Sequence, residues 1–155
     1  MVQKIKQAES IIGYEFEDKN WLWEALQVAG SKVKIEGRCL KKGNARLAIH
    51  GELKLKAIRS KLWAASEDES LADWNTTATR LIGTKILAKT CVMYGLTKVL
   101  NINPDNPLEV SDRLAATLVE AVIGAVSMDG GEAAVMKVLK ELALLPLEML
   151  ETNLD

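Results

Sequence analysis

The chain has 155 residues, 48% of them hydrophobic and 26% charged, with 20 basic against 21 acidic side chains for a net charge of −1. That length allows one domain with a substantial buried core, and the balanced charge argues against a protein whose whole surface coats nucleic acid, so any such binding must come from local patches. Two cysteines (Cys39 and Cys91) and one histidine (His50) are too few for a disulfide framework or a zinc site, so both thiols are expected to be reduced.

The opening residues, Met1 to Ser10, enter an amphipathic pattern at once, without a signal-peptide centre or a transit-peptide bias. No apolar run approaches the roughly 20 residues that cross a bilayer. The expectation is an intracellular protein that engages no membrane, placed in the cytoplasm, the nucleus or, if a longer natural chain has been trimmed, the mitochondrion.

Apolar positions recur at helical spacing nearly throughout, and no alternating run is long enough for a strand. An all-α domain over residues 1–155 is therefore expected. A first helix spans Val2 to Ile12 and stops at Gly13. A second begins after Asp18, a plausible N-cap, and sets Trp21, Leu22, Ala25 and Leu26 on one side. A Gly-, Ser- and Lys-containing loop fills Gly30 to Gly43. A long helix then covers about Asn44 to Trp63, with a stripe of Leu47, Gly51, Leu55, Ile58 and Leu62. Lys54, Lys56, Arg59 and Lys61 read as its wet face. Ala64 to Leu71 reads as a solvated acidic loop.

Helices over about Asp73 to Ile82 and Thr84 to Tyr94 follow, then a Pro- and Asn-rich connector from Asn101 to Pro107. A strongly apolar helix covers about Ser111 to Met128 and ends at Gly130-Gly131. The last pattern, Glu132 to Leu150, is divided by Pro146. Trp21, Trp23, Trp63 and Trp74 are unevenly placed and suit packing better than base stacking. Asn75-Thr-Thr77 is a glycosylation pattern only, and Gly83-Thr84-Lys85 lacks the glycine spacing of a phosphate loop.

Two segments carry the chemistry. They are Asn44-Ala-Arg-Leu-Ala-Ile-His-Gly-Glu-Leu-Lys-Leu55 and Leu114-Ala-Ala-Thr-Leu-Val-Glu-Ala-Val-Ile-Gly-Ala125, the latter followed by Asp129-Gly-Gly. Together they resemble the two signature helices of the ribonuclease III catalytic domain. The likeness extends to Ile11-Ile-Gly-Tyr-Glu-Phe-Glu-Asp-Lys-Asn20, to Thr79-Arg-Leu81 and to Leu87 through Leu96. It covers about Lys4 to Leu142, and the pattern looks similar to that of stand-alone fungal relatives. The resemblance implies an all-α ribonuclease III-like fold that forms a symmetric homodimer, with no room here for an appended double-stranded-RNA-binding domain.

In that family four carboxylates hold Mg²⁺, a hard ion that takes oxygen ligands in a strict octahedron and activates water for phosphodiester cleavage. The corresponding positions here are Ala48, Glu52, Thr117 and Glu120. Glu52 stands where Asp is usual, Glu120 is unchanged, and Ala48 and Thr117 mark lost ligands. Ala45 replaces a further Glu. Helical spacing puts 45, 48 and 52 on one face, and likewise 117 and 120. Asp112 cannot readily compensate, because eight helical residues separate it from Glu120 by about 12 Å.

From the residues alone, Glu52 reads equally as an exposed charge with an i+4 lysine. Glu120, amid an apolar helix, must be paired, hydrated or protonated, either in a cleft facing Glu52 or in a buried hydrogen bond. Ile49 occupies the family's aromatic knob position at the dimer interface, and His50 beside it suits an interface or core role. The basic segment Lys32, Lys34, Arg38, Lys41 and Lys42, offset by Glu36, is a candidate phosphate contact or a solvated loop.

Three functions stay open. The first is a degenerate member that binds structured or double-stranded RNA in RNA processing or ribosome-associated assembly, with protein partners there, and does not cut. The second is an active Mg²⁺-dependent endoribonuclease using Glu52 and Glu120. The third is a protein-docking dimer without RNA affinity.

Overall fold

The computed structural model describes residues 1–36, 40–66 and 70–145, with the side chains of 77–81 left aside. Six α-helices and one 3-10 turn follow in order: α1 (Val2–Ile12), α2 (Lys19–Ala25), α3 (Ala45–Ala65), α4 (Leu71–Ile82), α5 (Thr84–Met93), the turn Leu96–Val99, and α6 (Asp112–Glu141). Among the described residues no β-strand is present, Gln27 and Asn101 pairing only as an isolated bridge, so the architecture is all-α.

Local signals set the early boundaries. Gly13 closes α1 in the left-handed conformation, its N–H donating to the Glu9 carbonyl. Asp18 opens α2, its side chain accepting from the Asn20 N–H at 2.9 Å. The stripe expected on α3 is the buried one: Leu47, Gly51, Leu55 and Ile58 face inward and Leu62 packs against the core.

The centre of the fold is α6. Leu118, Val119, Val122, Ile123, Ala125 and Val126 are fully enclosed, with α3, α5 and α2 packed around them. Contrary to expectation, this helix is long and apolar enough by length and composition to cross a membrane. Its residues are instead used as a core, since 56% of the apolar window is buried within the fold. At Gly131 (φ 73°, ψ −167°) the chain leaves helical geometry, so α6 is two helical stretches joined across a kink at the Gly130-Gly131 pair where the sequence placed the helix end.

The corner before that turn is locked from the other end of the chain. Asp129 accepts hydrogen bonds from the Tyr14 hydroxyl (2.8 Å) and from the Glu17 and Asp18 N–H groups (2.9 Å each). Burial, with the Asp129 carboxylate beside it, pushes the Tyr14 phenol up to about 12.

One expectation for the wet face of α3 is overturned. Arg59 is 4% exposed and its guanidinium lies 5.4 Å from the centre of the Trp74 ring, with Trp63 tilted against the same ring. Position 59 follows Ile58 at the margin of the buried stripe, and α4 supplies an aromatic face that accepts a cation. Lys56 and Lys61 do lie on the outside. The acidic stretch before α4 and the helix division at Pro146 fall outside the described residues.

Candidate functional site

Helices α3 and α6 cross backbone against backbone. A Cβ at Gly51 would stand 2.7 Å from the Glu120 carbonyl carbon and 2.8 Å from the Gly124 nitrogen, and one at Gly124 would press on the Leu47 carbonyl. Only glycine at both positions lets the axes approach this closely. The contact fixes the register of one helix on the other, and Glu52, next to Gly51, and Glu120, one turn before Gly124, are brought to the same groove.

That groove has two lobes. One, of about 210 Å³, is lined by Glu52, Thr84, Arg113, Ala116, Thr117 and Glu120. The other, of about 150 Å³, shares Glu52, Thr84 and Glu120 and adds Lys56. Of the four positions that the resemblance singled out, Glu52, Thr117 and Glu120 line it. Ala48 does not: at 5% exposure it is packed into the hydrophobic core. Asp112 is an exposed first-turn residue of α6 outside the lining.

The electrostatics follow from the packing. Glu120 emerges from an apolar helix, and burial, then the charge of Glu52, raise its pKa from 4.5 to about 7, against the opposing pull of Lys56 and Arg113. Glu52 is half exposed and accepts from the Lys56 ammonium at 2.6 Å, one turn further along α3. Both readings of Glu52 hold together: it is an i,i+4 ion-pair partner and a wall of the groove.

Sequence reasoning missed Arg113 and Thr84. Arg113 precedes Thr117 by four residues and Glu120 by seven, so helical spacing alone could have placed it on that face. Thr84 comes from α5 and has no such signal.

Mg²⁺ fits this donor set poorly. A site needs several anionic oxygens free to point at the ion, whereas one of the two carboxylates here is held by Lys56 and both stand near the cationic Lys56 and Arg113. Among the described residues no three Asp, Glu, His or Cys side chains cluster as metal ligands would.

The other candidates are dispersed. Ile49 (61% exposed) and Leu53 (59% exposed) form an outward apolar step on α3. His50 is half-buried, its Nε2 sharing a 3.0 Å hydrogen bond with the Ser127 hydroxyl of α6. In the basic segment Lys34, Lys41 and Lys42 are exposed, Lys32 is ion-paired to Asp105, and Arg38 lies outside the described residues. Within the segment Ile35 and Leu40 are buried. Cys91 is a free, fully buried thiol that burial pushes up to about 12, which makes it inert. Cys39 lies outside the described residues.

Solved structures decide the fold. A nuclease domain of ribonuclease III from Campylobacter jejuni, whose structure was described for flexibility in a region involved in dimer formation, aligns with a TM-score of 0.68 at 23% identity, over 89% of this chain and 95% of that one. A second structure of that nuclease domain, at 2.2 Å resolution, aligns with a TM-score of 0.66 at 23% identity, over 97% of each chain. The fold is that of the ribonuclease III nuclease domain. No protein-family model and no curated protein matches the sequence. The α3–α6 groove lies between the two segments that carry the sequence resemblance.

Proposed function

We propose that this chain is a ribonuclease III-like domain that binds double-stranded RNA without cutting it, and that it acts in RNA processing or in a ribosome-associated assembly. The observation that carries the reading is the groove itself. It keeps two of four acids, ties one to Lys56, and adds Arg113 and Thr117 where a cleaving site would concentrate negative charge. A cleft of that composition concentrates divalent cations less than one walled by four carboxylates would. The exposed Lys34, Lys41 and Lys42 supply phosphate contacts outside it.

The test is a labelled RNA duplex incubated with wild type and Glu120→Ala, in Mg²⁺ and separately in Mn²⁺. A retarded but intact duplex supports the reading. Cleavage by wild type that vanishes in Glu120→Ala refutes it.

A second reading, a working endoribonuclease, draws on one feature: paired carboxylates in an open cleft, one held near neutrality by burial, are a common acid–base arrangement. It needs Mg²⁺ held by ligands beyond these two side chains, and the same cleavage assay decides it. The outward step of Ile49 and Leu53 further supports a homodimer formed through α3. Sedimentation of Ile49→Asp as a monomer, with wild type as a dimer, tests that contact. A dimer that shows no salt-dependent RNA binding would leave protein docking as its role.

A further inference from the structure

The two lobes of the α3–α6 groove are continuous through Glu52, Thr84 and Glu120, and each lobe has one cation in its wall, Lys56 in one and Arg113 in the other. Their roles differ. Lys56 is committed to Glu52 at 2.6 Å, whereas Arg113 makes no ion pair among the described residues and faces the lobe that also holds the Thr84 and Thr117 side chains. Arg113 is exposed and sits in the first turn of α6, so its fork reaches the lobe from the solvent side.

We infer that the Arg113 lobe of the groove is a metal-independent cradle for a phosphodiester of the RNA backbone, with Arg113 as its principal contact. This rests on the RNA-binding reading above. The chemistry is that of a planar guanidinium, which donates two parallel hydrogen bonds to phosphate oxygens, beside side-chain hydroxyls that donate to the same kind of acceptor. The pairing of Lys56 with Glu52 removes one carboxylate from the electrostatic opposition to an anion. The volume of about 210 Å³ admits a phosphate group with its water. Thr117 is therefore more than a missing ligand: it replaces a carboxylate that would repel the phosphate with a hydroxyl that can donate to it.

The cradle differs from a metal site in the sign of its response to the acids. At a metal site a carboxylate holds the ion that holds the phosphate, so its loss weakens binding. In the cradle Glu120 opposes the phosphate, so neutralising it strengthens binding.

Binding of an RNA duplex is measured by fluorescence anisotropy in excess EDTA across a range of salt, for wild type, Arg113→Gln and Glu120→Gln. Arg113→Gln is expected to weaken binding about tenfold and to reduce the salt slope by about one phosphate contact. Glu120→Gln is expected to tighten it about threefold or more. Circular dichroism of each variant establishes that both are folded. Binding by wild type that neither substitution changes overturns the cradle and leaves the RNA-binding reading intact. Binding that requires Mg²⁺ and is lost in Glu120→Gln overturns the cradle in favour of a metal site. No binding by wild type at all overturns both readings. A parallel NMR titration with inorganic phosphate follows the Arg113 Nε–H: a shift in wild type supports the cradle, and an unmoved resonance beside a moving Lys41 or Lys42 counts against it.

Discussion

Glu120→Gln replaces a carboxylate whose ionisation the fold opposes with a group of the same shape that never ionises. Burial and then Glu52 raise the Glu120 pKa from 4.5 to about 7, while Lys56 and Arg113 pull the other way. In the unfolded chain the group titrates near its ordinary 4.5, so between about pH 4.5 and 7 the folded state keeps a proton that the unfolded state has lost. Stability therefore falls as pH rises through that window, and the whole cost stands above it.

At about 1.4 kcal/mol per pH unit the interval sets a ceiling of about 3 kcal/mol. The carboxylate faces an open groove, and water there relaxes much of the penalty, which leaves about 1–2 kcal/mol. For a chain of this size that corresponds to a melting temperature about 2–8 °C higher for the variant at pH 8. At pH 4 both forms are neutral and the two proteins should melt together. Circular dichroism melts at the two pH values measure this directly. An offset of the same size at both, or a variant that melts lower at pH 8, would refute the assignment of Glu120 to a desolvated wall shared with Glu52.

Gly124→Ala places a methyl group against the Leu47 carbonyl, where backbone rather than a pliable side chain must yield; a loss of about 2–4 kcal/mol in urea denaturation is expected. A midpoint unchanged from wild type would contradict the close crossing of α3 and α6. Asp129→Asn leaves three donors facing an amide instead of a carboxylate and should cost about 2 kcal/mol at pH 7. Burial pushes the Asp129 pKa up, but the Asp18 and Glu17 N–H groups and the Tyr14 hydroxyl outweigh it and hold the value below 3.8. The wild-type advantage is thus full above 3.8 and fades as pH falls further, so acid titration of the two proteins should converge. Millimolar Mg²⁺ should move the melting temperature by less than about 1 °C, because a ligand stabilises only as far as its affinity for the folded state allows. A rise of several degrees would mean that a metal site forms.

Much of this fold is local and could be read before any coordinates. Val2–Ile12 ending on Gly13, Asp18 opening α2, the α3 stripe and the turn at Gly130-Gly131 all follow from spacing and from residues with few conformational alternatives. The same spacing put Glu52 on one helix face and Thr117 with Glu120 on another. The resemblance to ribonuclease III suggested that those faces meet, and in the structure Glu52, Thr117 and Glu120 line one groove.

What the chain alone determined, then, was the set of helices, their buried stripes and the faces that carry Glu52 and Glu120, because periodicity and capping act over a few residues. Tertiary structure decided the rest. The crossing at Gly51 and Gly124 set which turn of α3 meets which turn of α6, so it brought Glu52 to Glu120. It added Thr84 from α5 and Arg113 from the start of α6 to the groove, and it turned Arg59 from an outward charge into a buried partner of Trp74. These contacts join residues far apart in sequence, and their register depends on backbone approach and shape, which no local pattern encodes.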